Sequence, residues 1–243
     1  MNAGYTVAIQ TRASSSILLV SCALIAMGTI AISAQAPVPA PQKISVYQPD
    51  PKLPNVLVIG DSISLGYTPV LSAELKGTAN VFHIPDNAND TAWVLKYMDA
   101  WFDAVGQAHY KVILFNAGLH DFERLVDNKL NASGPIVIPL AAYKANLEKI
   151  IPRLQAHTDK LIWVNTTVVP QDSAGRRPED LRLYNDAAAA IMAAHHIQTI
   201  DLYSISAVGR STYGLSPTNV HYKPEGYKRF ADEIVKDIAP DLK

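Results

Sequence analysis

The sequence predicts an α/β fold, a three-layer α/β/α sandwich around a mostly parallel five-stranded sheet of flavodoxin-like layout. Three observations predict it. From residue 56 onward, short β-prone apolar runs alternate with longer segments whose apolar residues recur every three or four positions. Several runs end abruptly in glycine, asparagine or aspartate, as strands do where they leave a sheet toward a ligand-binding edge. Strand-helix alternation with right-handed crossovers then requires parallel strands with helices on both faces.

The elements follow in order. Val56-Leu57-Val58-Ile59 is a fully apolar strand closed by Gly60, whose freedom permits a tight turn into a helix over about 64–76. A strand at about 79–84 precedes a helix at about 91–104, where Trp93, Tyr97 and Trp101 recur at i, i+4 and i+8, the spacing of a core face. The strand at 110–116 ends in Asn116-Ala117-Gly118-Leu119-His120-Asp121, and a helix over 139–157 returns the chain. The strand at 160–167 carries Trp163 into the core. The helix at about 180–195 ends in His195-His196, where imidazolium suits the helix dipole. A strand at 197–201 and a helix at 224–238, opened by Pro224, complete the pattern. Three loops, 117–138, 168–179 and 204–223, meet the sheet edge where ligands are expected.

Upstream, Ile17 to Ile32 is an apolar, small-residue-rich stretch behind Arg12, followed by Ala34-Gln35-Ala36. Residues 1–36 therefore read as a signal peptide or N-terminal anchor, and the expected location is exported, periplasmic or extracellular, with a membrane reached only through that segment left uncleaved. Leu19-Val20-Ser21-Cys22 looks like a lipidation box, but most of the apolar run lies after the cysteine, which argues against it. Residues 37–54, with six prolines from Pro37 to Pro54, read as an extended tether, leaving the folded domain at 55–243. Cys22 is the only cysteine, so thiol and disulfide chemistry are excluded from the domain.

Lys plus Arg number 21 against 22 for Asp plus Glu, so no field draws the protein to nucleic acid. Small neutral or mixed substrates suit this balance better. No His-x-x-x-His and no cysteine pair occurs, so neither metal nor cofactor is expected. Arg176-Arg177 beside Glu179-Asp180 reads as a solvated loop, with binding of an anionic substrate near the site edge as the alternative, His83 as a surface or core residue, and Asp61 as a structural carboxylate at the turn.

Chemistry gathers at three strand and loop exits. Ser62 follows Gly60-Asp61 at the end of the first strand, near a helix N-terminus whose free N–H groups favour negative charge. His120 emerges after the third strand, and His221 precedes the Pro224 helix. A serine and a histidine brought together supply the minimum for acyl transfer.

At these residues the chain resembles the SGNH (GDSL-type) hydrolase superfamily, over about 55–238. The likeness is carried by Gly60-Asp61-Ser62, Asn87-Ala88-Asn89-Asp90-Thr91, Gly118-Leu119-His120-Asp121, Tyr184-Asn185 and Val220-His221-Tyr222. The resemblance implies Ser62 as nucleophile and first oxyanion donor, His221 as general base and acid, and a secreted esterase or acylhydrolase acting on an oxygen ester. Three positions depart from the family pattern. The second oxyanion donor aligns with Asn89 where glycine is usual, and the third with His120 where asparagine is usual. The aspartate three residues before the histidine is replaced by Thr218, so the expected triad is Ser62, His221 and Thr218, with Thr218 or a backbone carbonyl orienting the ring. The implied partner is a small-molecule or polysaccharide ester substrate, with a short acyl group, acetyl foremost, on a carbohydrate; the rival expectation is a protein that keeps the cleft and binds carbohydrate or lipid with weakened or absent turnover.

Overall fold

The computed structural model describes residues 49–243. The segment read as a leader, Cys22 and the segment read as a tether, up to residue 48, lie outside the described residues. Strands β1 (Asn55–Ile59), β2 (Asn80–His83), β3 (Tyr110–Phe115), β6 (Thr158–Val164) and β7 (Gln198–Ile200) form one sheet in the order β2-β1-β3-β6-β7. Every pairing in it is parallel, with Ile59 opposite Phe115 and Phe115 opposite Trp163. Parallel strands covered on both faces need continuous apolar runs rather than alternation, and Val56, Val58, Val112, Ile113, Leu114 and Ile162 are all fully buried.

Helices α1 (Ser62–Glu74), α5 (Leu202–Tyr213) and α6 (Pro224–Ile238) pack together, as do α2 (Thr91–Val105), α3 (Leu140–Gln155) and α4 (Pro178–Ala194), giving two helical layers around the sheet. The expected sandwich is therefore present, with its five-stranded sheet wholly parallel. Asp61 caps α1 by accepting from Ile63 N at 2.8 Å, and Asp90 caps α2 by accepting from Trp93 N at 2.9 Å.

Four local features differ from expectation. The 204–223 loop begins as helix α5, and the 117–138 loop holds a hairpin of β4 (Leu125–Val126) and β5 (Lys129–Leu130). Its tip, Asp127-Asn128, takes φ of 50° and 57°, the left-handed pair of a type I′ turn. Strand β6 starts two residues early, at Thr158. The segment read as tether up to residue 54 is pinned to the fold from Asp50: Asn80 Oδ1 accepts from Asp50 N at 2.9 Å, and Asn80 Nδ2 donates to the Asp50 and Leu53 carbonyls at 2.9 and 3.2 Å.

Of the aromatic stripe on α2 only Trp101 is core. Trp93 and Tyr97 are half-buried, their rings 4.3 Å apart, with Trp93 Nε1 donating to Asp86 at 3.1 Å.

The contact of α1 with α6 matters to function because it seats the start of α1 against the segment leading into α6. A Cβ at Gly66 would overlap the ring of Tyr227, which is wedged against Phe230 and Tyr222 at 6.3 and 6.1 Å. Gly66→Ala is therefore expected to destabilise the fold by about 1–3 kcal/mol through overpacking, read from urea unfolding midpoints. An unchanged midpoint would mean that Tyr227 swings aside freely.

Candidate active site

The nucleophile candidate stands at the first helical position after a buried strand. Ile59 ends β1, Gly60 and Asp61 turn the chain, and Ser62 opens α1, where the first N–H groups of a helix have no intrahelical partner. The turn is fastened from beneath: the Ser64 hydroxyl lies 2.7 Å from the Asp61 carbonyl and 2.7 Å from His83 Nε2, while His83 Nδ1 faces the Ile84 carbonyl at 2.7 Å. Burial pushes the His83 ring below its ordinary pKa, so it is a neutral, hydrogen-bonded core histidine.

Ser62 Oγ lies 2.8 Å from His221 Nε2, across 159 residues of chain. The orientation of His221 is set by Asn219, and this corrects the reading of Thr218 as third member. Asn219 Oδ1 is 2.7 Å from His221 Nδ1 and accepts the His221 backbone N–H at 2.9 Å, whereas Thr218 is exposed. With Nδ1 donating to an amide oxygen, Nε2 is left as the acceptor that a serine hydroxyl needs. The loop is held in turn by Arg210 at the end of α5. Its guanidinium donates to the carbonyls of His221 at 3.2 Å, Ser216 at 3.1 Å and Asn219, and lies 4.9 Å over the Tyr222 ring.

The His221 pKa is lowered, chiefly by burial and also by the positive charges of Arg176, His120 and Arg210, with Asp61 acting the other way. The ring is therefore neutral at neutral pH and able to take a proton.

The two other oxyanion candidates sit at the same sheet edge, in different states. Asn89 has φ of 48°, the left-handed conformation that glycine would adopt there, and its N–H donates to Asn87 Oδ1 at 2.9 Å. An oxyanion would have to displace that amide to use this donor. His120 follows Gly118, whose φ of 150° already disfavours a side chain; a Cβ at that position would also stand only 2.7 Å from Thr166 Oγ1. His120 Nδ1 lies 3.3 Å from Glu123 Oε2, and Glu123 Oε2 accepts from Arg176 Nη2 at 2.5 Å. Arg176 is thus a buried ion-pair partner, which corrects its reading as a solvated loop residue, and its Nε donates to the Leu119 carbonyl at 3.0 Å. The residues missed from sequence are Asn219, Arg210 and Glu123; of these only Asn219, polar and two residues from the base, left a local signal.

Asp121 is fully buried beside this site. Its Oδ1 accepts from Thr91 N at 3.0 Å and Thr91 Oγ1 at 2.5 Å, tying the start of α2 to the His120 loop, while Oδ2 has no partner among the described residues. Burial pushes its pKa up to about 7. A carboxyl raised in the folded state stabilises the fold fully below its unfolded pKa, and that contribution is lost as pH rises through about 7. Stability should therefore fall between about pH 4 and pH 8, by up to about 4 kcal/mol from this group. Asp121→Asn should flatten that part of the dependence, as read from unfolding midpoints at both ends. Equal slopes for variant and parent would refute the assignment.

Among the described residues, no group of three or more His, Cys, Asp or Glu comes together as metal ligands, and no helix is long and apolar enough to cross a membrane.

Comparison with known proteins gives a family and a fold. Residues 58–229 match the GDSL-like Lipase/Acylhydrolase family. Among solved structures, the fold resembles the acetyl xylan esterase AlAXEase, with a TM-score of 0.62, 15% identity, and coverage of 76% of this chain and 99% of that one. It resembles the lipase/acylhydrolase from Enterococcus faecalis at 0.61 and 19% identity, over 79% and 98% of the two chains. A third is an acetyl-xylooligosaccharide esterase from Geobacillus, at 0.58 and 13% identity, over 76% and 94%. No curated protein matches the sequence significantly. The family match runs from within β1 into α6 and so takes in both Ser62 and His221, and the chain belongs to the GDSL-like lipase/acylhydrolase family of ester hydrolases.

Proposed function

We propose that the protein is a serine esterase that cleaves a short acyl group, acetyl foremost, from a carbohydrate through an acyl-enzyme on Ser62. The observation that carries the reading is the 2.8 Å contact between Ser62 Oγ and His221 Nε2. As Oγ attacks the ester carbon, its proton passes to His221 Nε2 and the carbonyl electron pair moves onto oxygen. Collapse breaks the bond to the alcohol, which leaves with the proton held by His221, and water repeats the sequence to release the acid. The Ser62 N–H at the helix start and the His120 ring meet the oxyanion, with the Asn89 N–H as a further donor once Asn87 yields it. The imidazolium that forms is oriented by a neutral amide instead of a carboxylate, a weaker support than an aspartate gives.

The acetyl-carbohydrate assignment draws on the activities named for two structural neighbours. Export follows from the apolar segment before residue 37. The test is covalent labelling of the purified protein with a fluorophosphonate, mapped by peptide mass. Modification confined to Ser62 is expected, and folded protein that stays unlabelled would instead favour a noncatalytic carbohydrate- or lipid-binding protein.

A further inference from the structure

We propose that His120 works as an imidazolium clamped by Glu123, so that the oxyanion is met by a positively charged donor. This rests on the Ser62 esterase reading, and it concerns how that site stabilises charge.

The ring's surroundings favour one arrangement. Nδ1 lies within ion-pair distance of Glu123 Oε2, at 3.3 Å, and a carboxylate offers only lone pairs, so a hydrogen on Nδ1 is the favoured state. A neutral imidazole protonated at Nδ1 presents a bare lone pair at Nε2, which would repel a developing oxyanion. With a hydrogen already on Nδ1, only the doubly protonated ring can donate from Nε2, an atom that is buried and meets no hydrogen-bond partner among the described residues. A buried polar atom without a partner is unusual, and under this proposal the partner is the oxyanion formed when Ser62 attacks.

The surroundings fit a cation. Arg176, from the segment before α4, donates to Glu123 Oε2 at 2.5 Å and so fixes that carboxyl beside the ring. Asp61, buried in the turn before α1, is the second carboxylate whose field reaches the ring. Two acidic side chains and one guanidinium thus face the ring, a balance that favours positive charge on His120. His221 faces it from the loop before α6, and the adjacent Asp121 carboxyl is held toward its neutral form by burial. Burial works against charge on His120, but the hydrogen bond to Glu123 and the fields of Asp61 and Glu123 outweigh it, so its pKa lies above the ordinary value.

The consequence is a site with two histidines in opposite states. His221 must be neutral to take the Ser62 proton, while His120 keeps both ring protons throughout and neutralises the oxyanion by charge and hydrogen bond. Their environments push the two rings apart, the arrangement by which titrating groups acquire separate roles. A charged His120 also helps to hold His221 neutral in the resting enzyme. Glu123 is then a positioning residue.

Two measurements test this. The first is ring NMR of His120 in the Ser62→Ala protein, which needs no turnover and remains informative should the esterase reading fail. The second is kcat/KM for 4-nitrophenyl acetate against pH, for the parent, Glu123→Gln and His120→Asn. Expected are an imidazolium signal for His120 throughout the active range and a bell-shaped profile whose alkaline limb coincides with the loss of that signal. Glu123→Gln should move the limb at least about one pH unit lower. His120→Asn, a neutral donor, should remove the alkaline limb, lower the maximum, and leave the acidic limb of His221 near its place. A His120 ring that is neutral across the active range, with its one proton on either nitrogen, would overturn the proposal, as would an alkaline limb unmoved by either variant. Absence of Ser62 labelling, by contrast, removes the esterase reading and leaves the ring titration to decide the charge of His120.

Discussion

Ser62→Ala, His221→Ala and the double variant are each expected to lose about the same factor in kcat, on the order of 10⁵. The equality is the informative part. The 2.8 Å contact makes the serine a nucleophile only while the histidine takes its proton, so removing either removes one function, and removing the second afterwards costs little more. Residual turnover above the uncatalysed rate would come from the oxyanion donors. The check is steady-state kinetics of all three variants on one activated ester. Losses that multiply in the double variant would mean that serine and histidine act separately, and the acyl-enzyme mechanism would have to be abandoned.

Asn219 should show effects of opposite sign for two substitutions. Asn219→Ala strips the acceptor from His221 Nδ1 and from the His221 backbone N–H, the contacts at 2.7 and 2.9 Å. With nothing to fix tautomer or ring angle, kcat should fall about 10²- to 10³-fold, less than the roughly 10⁴ measured where the lost partner was a carboxylate. Asn219→Asp supplies that carboxylate at the same atoms. It should raise the His221 pKa, move the acidic limb of the rate profile to higher pH, and raise kcat above that limb by about tenfold through stabilising the imidazolium. Thr218→Asp places its charge on an exposed side chain and should change kcat by no more than about twofold. A gain in Thr218→Asp with none in Asn219→Asp would show that the loop rearranges when substrate binds.

The fold is legible in the sequence where its elements announce themselves locally. A strand such as Val56–Ile59 has no polar residue to mislead, and α6 opens with proline, so the bounds expected for both lie within a residue of those observed. Ser62 and His221 are readable because each stands at such a boundary. Helix α5 is not, because Leu202–Tyr213 is rich in serine, threonine and glycine and weak in intrinsic propensity, and it is held by packing on α6. The third partner of the base falls one residue from its expected place because motif spacing cannot stand in for loop geometry. The turn brings i−2 to the ring, and only the folded loop shows that Asn219 bonds both ring and backbone of His221. Arg176 defeats a reading by charge alone, since the carboxylate that draws it inside, Glu123, lies 53 positions away in the chain.

The distance in sequence between Ser62 and His221 bears on how the protein is made. The nucleophile belongs to the first strand-helix turn of the described fold, and its base waits until α6 has docked on α1. During synthesis nearly the whole domain emerges before the catalytic pair can exist, and contacts of such long range are the slow ones to form. Nascent or partly folded chains therefore carry a serine without its base, and the appearance of Ser62 reactivity during refolding reports the docking of the segment before α6 on α1, timed by the protein's own chemistry.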